Sequence, residues 1–247
     1  MIQFRLPTQF MPYDVYERHK IVGSLLQTTL ASQNTPPLVL DVGGRIELLE
    51  KFMPYRVISV NPDGTGAVYA NGLTLPFADN AFTAVVNIDT LEHLPSDIRI
   101  PFIQECLRVT QHYVIIAAPY GSQAHIQHEK ELHVLYQKSN GRSHQYLSEH
   151  IQYGLPTPAQ LDQIEEAIFP ATVTRSYAGD YIWQGKTFAR AAKAAKHPRF
   201  QARFINVYNQ IVSMAFLHPI RLTSAPNAAT NRFYLLIEKA AAQRVAK

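Results

Sequence analysis

Apolar residues follow two different periods along the first half of the chain. Near-helical spacing links Tyr13, Val15, Tyr16, His19, Ile21, Val22, Leu25, Leu26 and Leu30, and predicts a helix over 13–32. Residues 32–37 read SQNTPP, a loop composition. Short apolar runs of strand length then recur at 38–42, 56–60, 67–70, 82–88 and 112–118. An amphipathic segment with Ile46, Leu48, Leu49 and Phe52 separates the first two runs. A helix over about 97–108 separates the last two, with Pro101 tolerable only near its first turn. Strands alternating with helices predict a parallel sheet covered on both faces.

The second half is less regular. Residues 122–155 are polar, histidine-rich and poorly periodic. A helix is expected over 158–168, since Pro158 at its start lacks an N–H that would be unpaired anyway. Strands follow at 171–177 and 233–237. More than 50 residues separate them and hold two predicted helices, about 185–196 and 200–217.

The stretch LVLDVGGRIELLEKFMPYRVISVN, from Leu38 to Asn61, reads as strand, glycine turn, helix and strand. A polar residue closes it about 20 positions after the turn, the layout of a nucleotide-binding βαβ unit. Glycine suits such a turn because a Cβ would hold the backbone away from a ligand.

Four phrases extend this reading in order: LDVGG (Leu40 to Gly44), LPFADNAF (Leu75 to Phe82), VVNIDTLEHL (Val85 to Leu94) and RVTQHYVIIAAP (Arg108 to Pro119). On these the chain resembles class I S-adenosylmethionine-dependent methyltransferases, in the small-molecule branch called methyltransferase-11. The resemblance implies an α/β fold: a Rossmann-like, mostly parallel seven-stranded sheet with helices on both faces, whose last two strands form an antiparallel hairpin. It divides a single domain, 1–247, into an N-terminal helical segment (1–35), a cofactor-binding core (36–120) and insertions (121–156 and 178–231). The insertions are read as a helical cap over the carboxyl ends of the strands, where ligands of open α/β sheets bind. The implied activity is methyl transfer from S-adenosylmethionine to a small-molecule or sugar-like acceptor, at oxygen or nitrogen.

The resemblance places Asp41, Gly43 and Gly44 under the methionine and ribose parts of the cofactor. Arg45 and Glu47 stand where the family often has two further glycines. Asn61 replaces the acidic residue that accepts from both ribose hydroxyls. An amide offers one carbonyl acceptor and an NH₂ donor, without the strength of a carboxylate. Asp63 is positioned to substitute, and the NPDG sequence at 61–64 is also a turn composition. Asn71 and Gly72 fall where an aspartate reads adenine. Ile88 and Asp89 are cofactor neighbours at the methyl-facing strand end. His93 is the candidate general base, a role for which imidazole suits near-neutral pH.

His125, His128, His133, His144 and His150 lie within 26 residues. His128 and His133 are five apart, so they do not share a helix face as zinc-protease histidines do, and no metal site is assigned. Tyr120, His125, His128 and Glu129 follow the 112–118 strand and are candidates for the acceptor pocket. Lys186, Arg190, Lys193, Lys196, Arg199 and Arg203 punctuate the inserted helices beside an apolar stripe from Phe204 to Phe216. This fits an anionic or sugar-linked acceptor, peripheral contact with an anionic membrane, a dimer surface, or a solvated face over ordinary core.

Composition narrows the classes. Apolar residues make up 47% of 247, enough for a sizeable core. No apolar run is long enough to span a membrane, and the N-terminal sequence lacks a signal-peptide pattern. A single cysteine, Cys106, on an apolar helix face, excludes an internal disulfide and fits a reducing, cytoplasmic setting. A net charge of +4 does not demand nucleic acid as a partner. Two rivals remain: the fold kept as a binding or scaffold subunit, favoured by Arg45, Glu47, Asn61 and Asn71, and a nicotinamide-dependent oxidoreductase. The latter fits the first βαβ unit but neither LPFADNAF nor LEHL.

Overall fold

A computed structural model describes residues 7–33, 35–214 and 217–240. Its central sheet has six strands: β1 (Leu38–Val42), β2 (Arg56–Val60), β3 (Phe82–Ile88), β4 (Thr110–Pro119), β5 (Thr172–Asp180) and β6 (Thr230–Glu238). They lie in the order β2-β1-β3-β4-β6-β5. The first four are parallel, and β6 runs antiparallel between β4 and β5. The expected hairpin of the last two strands is therefore present.

Helices cover both faces, as the alternation predicts. Helix α1 (Tyr13–Thr29) packs Ile21, Val22 and Leu26 on one face of the sheet, against Val39, Ala84, Val86, Ile115 and Tyr234. Helices α2 (Arg99–Val109) and α5 (Pro158–Ala167) pack Phe102, Ile103, Cys106, Leu161 and Ile164 on the other, against Leu40, Val85, Val114 and Leu235. Neighbouring strand residues thus enter opposite layers, and both layers are apolar, as in a sheet buried on two sides. Pro101 sits in the first turn of α2, and Pro158 opens α5 behind a capping box of Thr157 and Gln160. Cys106 is fully buried in the core.

Three expectations are corrected. The helix expected after the glycine turn is only a single 3-10 turn at Leu49–Lys51. Glu47 takes a left-handed φ of 61° and Pro54 closes the segment, leaving too few residues for an α-helix. The strand expected at 67–70 is reduced to one bridge, Val60 to Val68, because turns at 61–64 and 71–74 flank it. Among the described residues the sheet accordingly has six strands rather than seven.

The polar 122–155 stretch is not irregular. It forms α3 (Gln123–Asn140) and α4 (Gln145–Tyr153). The Ser122 side chain caps α3 by accepting from the His125 N–H, and Gly141 ends it at a left-handed φ of 68°. Helices α6 (Tyr181–Ala194) and α7 (Arg199–Val212) fill the insertion between β5 and β6. The expected 200–217 helix ends earlier, and its Ala215 and Phe216 lie outside the described residues. Phe200, Phe204, Val207 and Ile211 on α7 are exposed rather than core. No helix among the described residues is long and apolar enough to cross a membrane.

Candidate functional site

The carboxyl ends of β1, β2 and β3 converge on the glycine turn. Gly43 adopts φ +85° and donates its N–H to the Val60 carbonyl at 2.7 Å. A Cβ on Gly43 would collide with the Thr90 hydroxyl, and one on Gly44 with the Asp41 carboxylate. Both positions therefore require glycine on steric grounds. Asp41 is 2% exposed, and its Oδ1 has no hydrogen-bond partner. Burial alone pushes its carboxyl up to about 7. Beside it, Asn87 in β3 donates from Nδ2 to the Val42 carbonyl at 2.7 Å and leaves its own Oδ1 unpartnered. An unpaired buried acid beside two Cβ-free residues fits the amino-acid end of an adenosyl cofactor, whose ammonium would complete the pair.

Asn61 and Asn71, the residues expected at the ribose and adenine, are each hydrogen-bonded within the chain. Asn61 Nδ2 donates to the Gly43 carbonyl at 3.1 Å, and its Oδ1 accepts from the Asp63 N–H at 3.3 Å. The Asn61 side chain is therefore tied into the turn itself. Asp63 is exposed and held below the usual carboxylate range by the Thr65 hydroxyl and N–H. Asn71 is exposed, and its Oδ1 accepts from the Leu73 N–H at 3.0 Å. Gly72 has no room for a Cβ, which would meet Phe102 and Val42. Arg45, Ile46 and Glu47 are all exposed, so the bulk that replaces glycine there points outward.

The end of β3 carries charge. Ile88 is buried, and Asp89 takes a left-handed φ of 53°. Asp89 pairs with Arg18 of α1 at 2.9 Å and with Arg232 of β6. Arg232 is buried, which lowers its guanidinium to about 10. These arginines were not among the residues expected from sequence. They come from opposite ends of the chain, and no local spacing links them to Asp89.

Next comes the 3-10 turn Leu91–His93. Glu92 is 1% exposed, and burial pushes its carboxyl up to about 8. His93 is lowered from its ordinary value, first by burial and then by the neighbouring His150. Its Nδ1 stands 2.7 Å from Glu149 of α4. Arg99, 2% exposed, locks this corner. It donates to the carbonyls of Leu94, Tyr153 and Gly154 and to Gln160 Oε1.

Helices α3, α6 and α7 and the start of α1 line an open cleft of ≈ 510 Å³. Three of the four acceptor candidates, His125, His128 and Glu129, line it, together with Tyr13, Tyr181 and Trp183. The His125 ring stacks on Tyr181 with centroids 4.5 Å apart, and its Nδ1 contacts the Tyr120 carbonyl at 2.9 Å. His128 approaches α6 where Gly185 leaves room, and its Nε2 is buried without a partner. Tyr120 itself faces the core, edge-on to Tyr177 at 5.3 Å, because it leaves β4 beside the β5–β6 pair. Arg190, expected on a basic face, instead donates to Asn209 Oδ1 at 2.9 Å and ties α6 to α7.

Residues 48–117 match the family model described as a methyltransferase domain. No curated protein matches the chain. Among solved structures, a provisionally assigned sarcosine dimethylglycine methyltransferase from Galdieria sulphuraria superposes with TM-score 0.54 at 13% identity, over 91% of this chain and 86% of that one. The plantazolicin methyltransferase BpumL, in complex with a pentazolic desmethylPZN analog and SAH, superposes with TM-score 0.54 at 10% identity, over 93% and 86%. The YcgJ protein of Bacillus subtilis gives 0.50 at 14%, over 91% and 100%. At these identities the likeness is one of fold.

Proposed function

From a chain with the class I S-adenosylmethionine-dependent methyltransferase fold and a methyltransferase-domain match over residues 48–117, we propose methyl transfer from S-adenosylmethionine to a small acceptor. One observation carries the reading. The unpaired, buried Asp41 carboxylate and the Cβ-free Gly43–Gly44 turn lie at the carboxyl ends of parallel strands, the ligand-binding edge of open α/β sheets. BpumL, of the same fold, was crystallised with SAH.

The cofactor supplies a methyl group on an electrophilic sulfonium. The chain's residues supply position and proton handling. Asp41 would pair with the cofactor's amino group, beside the Gly43–Gly44 turn. Asn61 fixes the turn, while Asp63, Asn71, Gly72, Ile88 and Asp89 bound the remaining edge. The cavity under α6 and α7 takes the acceptor, stacked against Tyr181 and Trp183, with His125, His128 and Glu129 as its polar wall. The proton lost by an oxygen or nitrogen acceptor passes to the His93 cluster, where Glu149 orients the ring. A small anionic or sugar-linked acceptor fits a cavity of this size better than a macromolecule does. The lone buried Cys106 accords with a reducing, cytoplasmic setting.

Calorimetry with SAH tests the reading. Micromolar binding that is weakened at least tenfold by Asp41→Asn is expected. No binding up to millimolar SAH overturns it. That result would favour the second reading, a non-catalytic binding subunit, for which the tethered Asn61 side chain is the specific observation.

A further inference from the structure

We propose that Glu92, His93 and His150 form a binding site for one divalent first-row transition-metal ion, with zinc as its reference occupant. One ligand atom from each of the three residues lies within 4.8 Å of the other two. They come from separate elements: Glu92 and His93 from the 3-10 turn after β3, His150 from α4.

The surroundings are those of a built site. His150 Nδ1 is hydrogen-bonded to Glu129 at 3.0 Å, and Glu149 stands 2.7 Å from His93 Nδ1. A carboxylate behind an imidazole fixes the ring's orientation and raises the basicity of its other nitrogen, the usual outer arrangement of a metal-bound histidine. That leaves both Nε2 atoms for the ion. His93 Nε2 is 3.9 Å from Glu92 Oε1, and the two imidazole rings are 4.9 Å apart.

The second observation is a convergence of unpartnered atoms. Glu92 is 1% exposed, and its Oε2 has no hydrogen-bond partner. His150 Nε2 is likewise buried without one. His93 Nδ1, 2.7 Å from Glu149 but outside hydrogen-bonding geometry, is a third; buried polar atoms are nearly always paired, so three orphans in one cluster indicate a missing common partner. At metal–ligand distances of about 2.0–2.1 Å, tetrahedral ligands stand about 3.4 Å apart. Side-chain movement of about an ångström closes the cluster onto an ion at that spacing.

Two imidazoles and one carboxylate favour Zn²⁺ or a neighbouring transition ion over Mg²⁺ or Ca²⁺, which prefer all-oxygen shells. Three protein ligands leave a further position open. Glu129 orients His150 and also lines the α3–α6 cavity, so this one carboxylate links the cluster to the cavity. A hydroxyl bound in the open position would become more acidic, and with His93 held by the ion its proton would pass to solvent rather than to that ring.

Metal binding is tested without cofactor or acceptor. The chelator-stripped full chain is titrated with Zn²⁺ against a chromophoric chelator. One ion per chain with sub-micromolar affinity is expected, accompanied by a rise in the unfolding temperature. Glu92→Gln and His150→Ala should each weaken binding by about 100-fold or more, and Glu129→Gln by about 10-fold. His197→Ala, at an exposed position, should leave it unchanged. Circular dichroism confirms that the variants fold. In wild type, Co²⁺ should give visible bands of tetrahedral or five-coordinate intensity. Stoichiometric affinity that survives Glu92→Gln and His150→Ala overturns the proposal, as does wild-type binding no tighter than that of an exposed histidine. Loss of SAH binding with zinc binding intact would overturn the methyltransferase reading alone.

Discussion

Asn61 and Gly43, 18 residues apart, are joined by a 3.1 Å hydrogen bond from the Asn61 amide to the Gly43 carbonyl. A carboxylate cannot make this bond, because it has no hydrogen to donate. Asn61→Asp should therefore cost about 1–3 kcal/mol in urea denaturation. It should also fail to strengthen SAH binding, despite restoring the acid expected at this strand end. A variant that is as stable as wild type and binds SAH more tightly would show that the amide is not a clamp.

Asp41 makes stability depend on pH. Its folded-state carboxyl is raised from 3.8 to about 7 by burial. The protonated form is thus favoured on folding. Its stabilising contribution is complete below pH ~4 and is lost as pH rises through ~7. Asp41→Asn should remove this dependence, and its advantage over wild type should grow by roughly 2–3 kcal/mol between pH 5 and pH 8. Denaturation curves at the two pH values decide it, and parallel wild-type and variant profiles would count against the buried acid. SAH binding at pH 6 should release a proton, seen as a dependence of the calorimetric heat on buffer ionisation.

Arg99 holds the corner between β3 and α4 through three backbone carbonyls and Gln160. Arg99→Met keeps much of the volume and strands those carbonyls. A loss of about 3 kcal/mol or more is expected, since bonds from a charged donor are the stronger kind and buried acceptors are costly to leave unmet. Zinc affinity should fall with it, because Glu92 and His150 lie on the two sides of this joint. A near-neutral unfolding free energy would contradict the assigned role.

Trp183 is the only tryptophan in the chain, so its emission reports directly on the cavity. A small anionic or sugar-linked acceptor entering between Trp183 and Tyr181 should change that emission. Gly185→Ala should blunt the response by pushing His128 into the space. SAH should leave the emission nearly unchanged. A response to SAH and to no acceptor would move the cavity's role to the cofactor.

The strand core was legible because each of β1 to β4 is a short apolar run filling both layers of the sheet. The β1, β2 and β3 bounds coincide with those runs. What failed was local backbone geometry. Ile46, Leu48 and Leu49 have helical spacing, yet the left-handed Glu47 interrupts the segment. Helix α3 was illegible for another reason: its inward positions are filled by His125, His128 and Glu129 rather than aliphatic residues, so hydrophobic periodicity is weak. The candidate site was readable along each phrase and unreadable across them. Glu92 and His150 are 58 positions apart, and Asp89 meets Arg18 and Arg232 only through the order of strands.

Asp180 and Thr230 are register partners on adjacent antiparallel strands, and the Tyr181 N–H donates to the Ala229 carbonyl at 3.0 Å. Residues 181–229 therefore leave and re-enter the sheet at the same rung. The segment is tied back once more, by the two backbone hydrogen bonds between Thr223 and Tyr177 of β5. A short turn from Asp180 to Thr230 would keep the β5–β6 rungs while removing α6, α7 and the Tyr177–Thr223 bridge. The strand order would thus stand unchanged beneath a different set of helices.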